Sequence, residues 1–478
     1  MSKNGKKVLM ICTGGTIGML PKDDTDPASP LVPAKWDQIE KHSPALKELK
    51  FEVNTFEMTL IDSSDMNPKY WIDIAKQIRD HYDLYDGFVI LHGTDTMSYT
   101  ATALSFLLEH LGKPVIVTGS QLPLAEARND ASQNLVTALM LAASDGVPTV
   151  PEVCILFNNV LLRGNRSRKV SSTGFAGFDS PNFRPLARIG EHIDVDAKIV
   201  RKIPSEGFFI NEFLTEEVMM IDIFPGISPN MLNNVFSIEG LKGVVLRTYG
   251  TGNAPTHTSF LREIEFAIKE KRLAIVNITQ CTQGMVEMGL YDASSGLLRL
   301  GVISGVDMTP EAALVKMMFL LGQNYDIETV KDQMQKDICG EQSYNVFNLI
   351  YRHGNTENNR YALKPQQLPA GFVKEQVATA SIRFDGIKTR SGKKSLELAV
   401  FMNYPSANAE TSIEITQCLG FIEKQYDEDK TDCTLRCTDK VRQVVSDPGR
   451  PVQLTVVSKN DDIEWDNVAL SIYTNVTV

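Results

Sequence analysis

The sequence offers no framework for disulfides. Its seven cysteines, at positions 12, 154, 281, 339, 418, 433 and 437, are an odd number at irregular spacing. That excludes a cross-braced secreted scaffold and makes a reduced cytoplasm the expected setting. Long hydrophobic runs are also missing, because no apolar stretch reaches the ~18–20 residues that span a bilayer. The first residues, Met1-Ser2-Lys3-Asn4-Gly5-Lys6-Lys7, lead into the short apolar segment Val8-Leu9-Met10-Ile11 with no small-residue cleavage site. Such a segment is too short for the core of a signal peptide. Positive charge is in deficit: 48 Lys+Arg stand against 59 Asp+Glu, a formal net charge of -11. A globally basic nucleic-acid binder is therefore not expected, although a local patch can hide in that sum. Compositional bias is absent as well. With 43% hydrophobic and 22% charged residues, wholesale disorder and collagen-like repeats are excluded.

What is present is length and rhythm. At ~100–200 residues per domain, 478 residues suggest three domains. Short β-branched runs such as Val8-Leu9-Met10-Ile11, Phe88-Val89-Ile90-Leu91, Val115-Ile116-Val117 and Val153-Cys154-Ile155-Leu156-Phe157 suit strands buried on both faces. Helix-like stretches at 101–111 and 129–143 separate them, the second with Asp130 as a cap or first-turn acid. This alternation predicts an open, mostly parallel α/β sheet domain over residues 1–195. After a linker at 195–214 the rhythm resumes, with strands at 244–246 and 273–276 around a helix at 257–271 and another helix at 311–321. A second, smaller α/β domain is expected over 215–350. Residues 352–369 are polar and read as a linker. Alternating runs such as Leu396-Glu397-Leu398-Ala399-Val400-Phe401 then predict an all-β, sandwich-like domain over 375–478.

In open α/β sheets, active residues collect beyond the carboxyl ends of the strands. After the first strand comes Thr13-Gly14-Gly15-Thr16-Ile17-Gly18. Its glycines permit tight turning and close approach to a ligand. It has neither the spacing of a dinucleotide loop nor that of a P-loop, so on its own it reads first as a strand-to-loop turn. After the run Phe88-Val89-Ile90-Leu91 comes His92-Gly93-Thr94-Asp95-Thr96, either a hydroxyl–carboxylate pair for chemistry or a helix cap, two roles that are compatible. Asp62-Ser63-Ser64-Asp65-Met66 offers hydroxyls and acids in a loop. The basic cluster Arg163-Gly164-Asn165-Arg166-Ser167-Arg168-Lys169 lacks the interleaved aromatics of a nucleic-acid surface. Within it, Lys169 is placed to pair with Asp95 and to relay a proton from a threonine hydroxyl. Cys433 and Cys437 have metal-ligand separation, yet no histidine follows His353, so no metal site is expected.

Together these motifs resemble the L-asparaginase/glutaminase family, with the type I branch the nearest in pattern. Thr13-Gly14-Gly15-Thr16-Ile17-Gly18, His92-Gly93-Thr94-Asp95-Thr96 and the Lys169 segment stand in the family's order and spacing. Supporting pieces include Thr118-Gly119-Ser120-Gln121-Leu122-Pro123, Tyr249-Gly250-Thr251-Gly252-Asn253 and Gly301-Val302-Ile303-Ser304-Gly305-Val306-Asp307-Met308-Thr309. The resemblance covers residues 6–350. It implies Thr16 as the nucleophile, with Thr94, Asp95 and Lys169 as a second catalytic cluster. Gly15, Asp62, Ser63, Ser64, Thr94 and Asp95 would bind L-asparagine. Asn253 would complete the site of a neighbouring subunit in a homodimer or homotetramer. No cofactor, nucleic acid or membrane partner is implied.

Two departures stand out. The family carries a tyrosine in the lid after the first threonine, whereas Met19-Leu20-Pro21-Lys22-Asp23-Asp24-Thr25-Asp26-Pro27-Ala28-Ser29-Pro30 has none. Either Tyr291 or another group substitutes, or the chain is slow, altered in substrate, or inactive. Arg247 and Cys281 match positions of an allosteric asparagine site in some relatives, while Arg168 replaces a small hydroxyl residue there. The expected activity is hydrolysis of L-asparagine to aspartate and ammonia. The alternatives are another acyl substrate (glutamine, a larger amide or a lysophospholipid) and a degenerate aspartate- or asparagine-binding protein. No motif is legible in 375–478.

Overall fold

The computed structural model describes residues 5–23, 29–288, 292–351, 355–357, 359–368, 372–445 and 451–476. Its first unit is an eight-stranded sheet. Five strands, Glu52–Ile61, Lys7–Gly14, Gly87–Leu91, Val115–Thr118 and Val153–Phe157, lie side by side and parallel. Val160–Arg163, Ala187–Ile189 and Ile193–Val195 continue the sheet antiparallel.

The apolar runs are continuous because both faces of the sheet are covered, and successive side chains serve opposite cores. Leu9, Ile11, Phe88 and Ile90 pack with Trp71, Ile74, Leu104 and Leu107 of the helices Pro68–Asp80 and Met97–Leu107. Val8, Met10, Val89 and Leu91 pack with Leu135 and Leu139 of Ala131–Ala143. The helix expected at 101–111 begins earlier and stops at Leu107. Leu108 and Glu109 leave it to pair with Phe209–Ile210, inside the stretch read as a linker.

The second unit is a parallel four-stranded sheet in the order Val218–Asp222, Gly243–Thr248, Ala274–Thr279, Ile303–Ser304. Pro229–Phe236 and Thr258–Lys269 cover one face, and Pro310–Gly322 covers the other. This last helix also packs on the first unit, where the rings of Phe106 and Phe319 stack with centroids 5.4 Å apart. The two α/β units therefore share one core.

The C-terminal part is a two-sheet antiparallel sandwich. One sheet is built from Tyr344–Tyr351, Asn467–Asn475, Val377–Thr389 and Thr431–Arg436, with Ile463–Glu464 added at Val377–Thr389. The other runs Asn355–Glu357, Arg360–Ala362, Leu454–Ser458, Ser395–Met402, Cys418–Gln425. Ile382, Phe384 and Leu470 of the first meet Leu398 and Val456 of the second in one core. Two features depart from the sequence reading. Tyr344–Tyr351 begins inside the 215–350 segment but pairs with Asn467–Asn475, and the stretch read as a linker supplies the hairpin Asn355–Glu357/Arg360–Ala362. The reason is partner-dependence: a short alternating strand does not show which sheet it will join.

All seven cysteines are free. Burial pushes the Cys433 and Cys437 thiols up to about 12. Among the described residues no group of three or more His, Cys, Asp or Glu is arranged to hold a metal ion. No helix among them is long and apolar enough to cross a membrane.

Candidate active site

Lys7–Gly14 sits between Glu52–Ile61 and Gly87–Leu91, and its register brings Gly14 beside Ile61 and Cys12 beside Leu91. All three strands thus end at the same edge. From Lys7–Gly14 the chain crosses to Glu52–Ile61 on one side and later continues through Gly87–Leu91 on the other. That is a topological switch point, where open α/β sheets leave a crevice for ligands.

The turns beyond these ends interlock. Thr13 Oγ1 donates to the Leu91 carbonyl at 2.8 Å. Gly15 has φ 91°, and a Cβ there would lie 2.4 Å from the Gly93 nitrogen. A Cβ on Gly93 would lie 2.6 Å from Ser63 Oγ. Glycine is required at both positions, because three backbones meet where a side chain has no room. Thr96 stands at the N-cap of Met97–Leu107 but makes no capping bond; its hydroxyl donates to the Ser63 carbonyl at 2.7 Å. The cap expected in this motif is replaced by a tie between two loops.

Within this frame Thr16 is half-buried at the start of the short 3-10 turn Thr16–Gly18. Among the described residues no hydrogen bond occupies its hydroxyl. Lys169 lies on the two-residue strand Arg168–Lys169, paired with Phe178–Asp179. Its Nζ donates to Thr94 Oγ1 at 2.7 Å and to Asp95 Oδ1 at 2.6 Å. Thr94 is buried, whereas the Asp95 side chain is 66% exposed. A hydroxyl, an ammonium and a carboxylate thus form one chain that ends in solvent. Asp62 Oδ1 accepts from the Ser64 backbone N–H and hydroxyl, and these bonds hold its carboxyl below the usual range. Ser63 is buried against Gly93, while Ser64 is exposed.

The other sequence-derived candidates sit apart. Asn253 follows the strand Gly243–Thr248 of the second sheet, and its buried Oδ1 has no hydrogen-bond partner among the described residues. Arg247 pairs with Asp222 at 2.9 Å, and Cys281 is exposed. Tyr291 and Thr25 lie outside the described residues. Met19–Pro21 pairs with Leu31–Pro33, so the segment after Thr16 leaves and returns as a hairpin.

The roles of three supporting residues are not legible in the sequence. His92 is fully buried between the Gly93 carbonyl, at 2.6 Å, and Thr100 Oγ1, at 2.8 Å. Arg166 is buried and bonds Asp307 through both nitrogens, at 3.2 and 2.6 Å, the Glu341 carbonyl at 2.8 Å and Ser343 Oγ at 2.9 Å. Glu311 faces Arg168. Asp307 lies in the stretch 301–309, but nothing local shows that its partner lies in the segment 163–169.

Comparisons with known proteins identify the family. The family description "Asparaginase, N-terminal" matches residues 7–201, and "Glutaminase/Asparaginase C-terminal domain" matches 217–334. The chain is 44% identical over 342 residues to L-asparaginase 1 of Escherichia coli (strain K12), covering 70% of this chain and 98% of that one. It is 39% identical over 357 residues to the 60 kDa lysophospholipase of Homo sapiens, covering 70% and 61%. The crystal structure of L-asparaginase I from Vibrio cholerae superposes with a TM-score of 0.65 at 43% identity, covering 71% and 99%. The sandwich beyond residue 344 falls outside both family descriptions. With both matching halves present in order, the chain belongs to the asparaginase family.

Proposed function

We propose that this chain is an L-asparaginase that hydrolyses L-asparagine to L-aspartate and ammonia through a threonine acyl-enzyme. The observation that carries the reading is the Lys169 Nζ contact to both Thr94 and Asp95, one interlocked turn away from Thr16. A threonine hydroxyl is a poor nucleophile until a neighbouring group polarises it or takes its proton. Thr16 Oγ1 attacks the carboxamide carbon, and the C–N bond breaks as ammonia leaves with the hydroxyl proton. A water aligned by Thr94, Asp95 and Lys169 then adds to the ester, restoring the Thr16 hydroxyl and releasing aspartate. Backbone N–H groups of the glycine turns face the oxygen that gains charge; removing one such donor typically costs ~10²–10³ in rate. Asp95 holds the substrate ammonium, and the loop Gly15, Asp62, Ser63, Ser64 holds its carboxylate. Fixing both ends orients the attack.

Asn253 with its unmet Oδ1 suits a role in a neighbouring subunit's site, in a homodimer or homotetramer that light scattering would detect. Seven free cysteines suit the cytoplasm. Tyr291 is the candidate for the task of the missing lid tyrosine. A regulatory asparagine site at Arg247 and Cys281 would form beside Arg168, whose guanidinium faces Glu311.

One steady-state series tests the reading: ammonia release from asparagine and glutamine, and fatty-acid release from a lysolipid. Thr16→Ala and Lys169→Met each lose ~10³-fold or more in kcat on asparagine, while Tyr291→Phe separates the lid question. A sigmoidal asparagine curve that becomes hyperbolic in Arg247→Ala marks the regulatory site. Turnover that survives Thr16→Ala removes the mechanism. Preference for the lysolipid replaces the substrate.

A further inference from the structure

Lys169 stands at the end of a strap that pairs with Phe178–Asp179 and reaches Asn182 in the first α/β unit, and whose arginines also meet carboxylates of the second. Arg166, three residues earlier, is fixed by its two-nitrogen grip on Asp307. Arg168 and Lys169 are consecutive on a strand and so face opposite ways. Lys169 meets Thr94 and Asp95, and Arg168 Nε lies 3.9 Å from Glu311 Oε1. Glu311 occupies the first turn of Pro310–Gly322, four positions after Asp307. Two carboxylates of one short segment thus hold the two arginines behind Lys169.

Glu311 is an odd residue to bury for stability alone. It is 7% exposed, and Oε2 has no hydrogen-bond partner among the described residues. Burial raises its carboxyl above the usual range, and the Arg168 guanidinium, its own backbone N–H, the Thr309 hydroxyl and Arg247 offset that only in part. Beyond the Thr309 hydroxyl and its first-turn place on the helix, a buried acid whose ion pair is long is a weak source of folding energy, and an unmet buried oxygen calls for another explanation. Its charge falls on the residue next to the active-site lysine.

We infer that Glu311 is a positioning residue for the reaction: through Arg168 it fixes the strand that presents Lys169 to Thr94 and Asp95. The inference rests on the proposed role of Lys169 and adds to it a task for the second unit, which sets the lysine from behind. Without the clamp, the strand keeps its Arg166 anchor and its pairing with Phe178–Asp179 but loses the tie that fixes its Arg168 face, so Lys169 is held less firmly against Thr94 and Asp95. Substrate binding, which runs through Asp95 and the Ser63–Ser64 loop, is left in place, so kcat falls while KM holds.

The test is a double-mutant cycle on asparagine hydrolysis with Glu311→Gln, Arg168→Gln and the double variant, with Thr16→Ala alongside. Each single variant is expected to lose roughly ten- to a hundredfold in kcat with KM changed less than about twofold. The double variant loses no more than either single, because both break one contact. Should Glu311→Gln not fold, Arg168→Lys against Arg168→Gln carries the test, since the variant that keeps the cation keeps more kcat. Losses that multiply, an unchanged kcat, a rise in KM alone, or equal loss in Arg168→Lys and Arg168→Gln overturn the clamp. Activity surviving in Thr16→Ala would instead remove the reaction mechanism itself, so the two failures are told apart.

Discussion

His92 is the neighbour of the proposed catalytic pair and takes no part in the chemistry. Fully buried and bonded on both ring nitrogens, it ties Gly93 to Thr100, whose hydroxyl also meets Trp71 Nε1 at 3.0 Å. Burial lowers its pKa to about 4, so the ring stays neutral at neutral pH. The sign follows: between about 4 and 6.5 the unfolded chain binds a proton that the folded chain refuses, so stability is lost as pH falls through that window. The shift corresponds to about 3 kcal/mol at full extent. Asp337, whose carboxyl burial and Glu341 raise to about 7, works the opposite way, so the comparison must be a difference. The melting temperature of the parent should fall from pH 6.5 to 4 relative to that of His92→Gln. Parallel curves would refute the assignment. The sequence placed a polar motif at a strand end; which member faces the site and which faces the core was not legible, because burial is a property of what packs on the other side.

At the scale of elements, Asp130 makes the same point. The sequence marks it as a cap or first-turn acid for the helix Ala131–Ala143, and it does occupy the N-cap position. Its carboxylate makes no capping bond. It accepts instead from the backbone N–H groups of Gln121, at 3.1 and 3.0 Å, and Leu122, at 3.1 Å. The start of one helix thereby holds the loop beyond Val115–Thr118, next to the strand Gly87–Leu91 that leads into Thr94 and Asp95. Asp130→Ala leaves those donors unmet and should destabilise the chain by about 2 kcal/mol. Asp130→Asn, which retains one acceptor, should cost less. Equal losses in chemical denaturation would show that the loop bonds contribute nothing. Helix and acid were both readable from local pattern, since capping residues and apolar spacing are short-range signals; the acid's partner, eight or nine residues back, depends on how strand and helix pack.

For the molecule as a whole, the shared core decides behaviour. Phe106 belongs to the first α/β unit and Phe319 to the second, yet their rings stack within one cluster that also takes in Ile90, Val117, Val245 and Val276. Phe319→Ala should lower stability by ~3–5 kcal/mol. It should also speed amide exchange in Gly87–Leu91, although the change lies in the other unit. If exchange there is unaltered, the two units fold independently. The sandwich keeps a core of its own, packs on the second unit where Val306 meets Val346 and Tyr473, and is tied further at Ser343. That residue's Oγ accepts from Arg166, its N–H donates to Asp307 at 2.8 Å, and its carbonyl accepts from Val476 at 2.9 Å. One residue thus joins the last strand of the sandwich to the base of the Lys169 strap.

By itself the sequence determined the buried strands, their parallel α/β arrangement, the glycine turns at their carboxyl ends and the alternating texture of the C-terminal part. All of these rest on interactions between near neighbours: apolar spacing, backbone freedom at glycine and side-chain alternation. Tertiary structure alone decided which charges meet. Arg166 finds Asp307, Arg168 finds Glu311, and Tyr344–Tyr351 joins the sandwich. An ion pair or an edge strand is specified by the partner that topology brings to it, and many partners of equal local merit lie along the same chain.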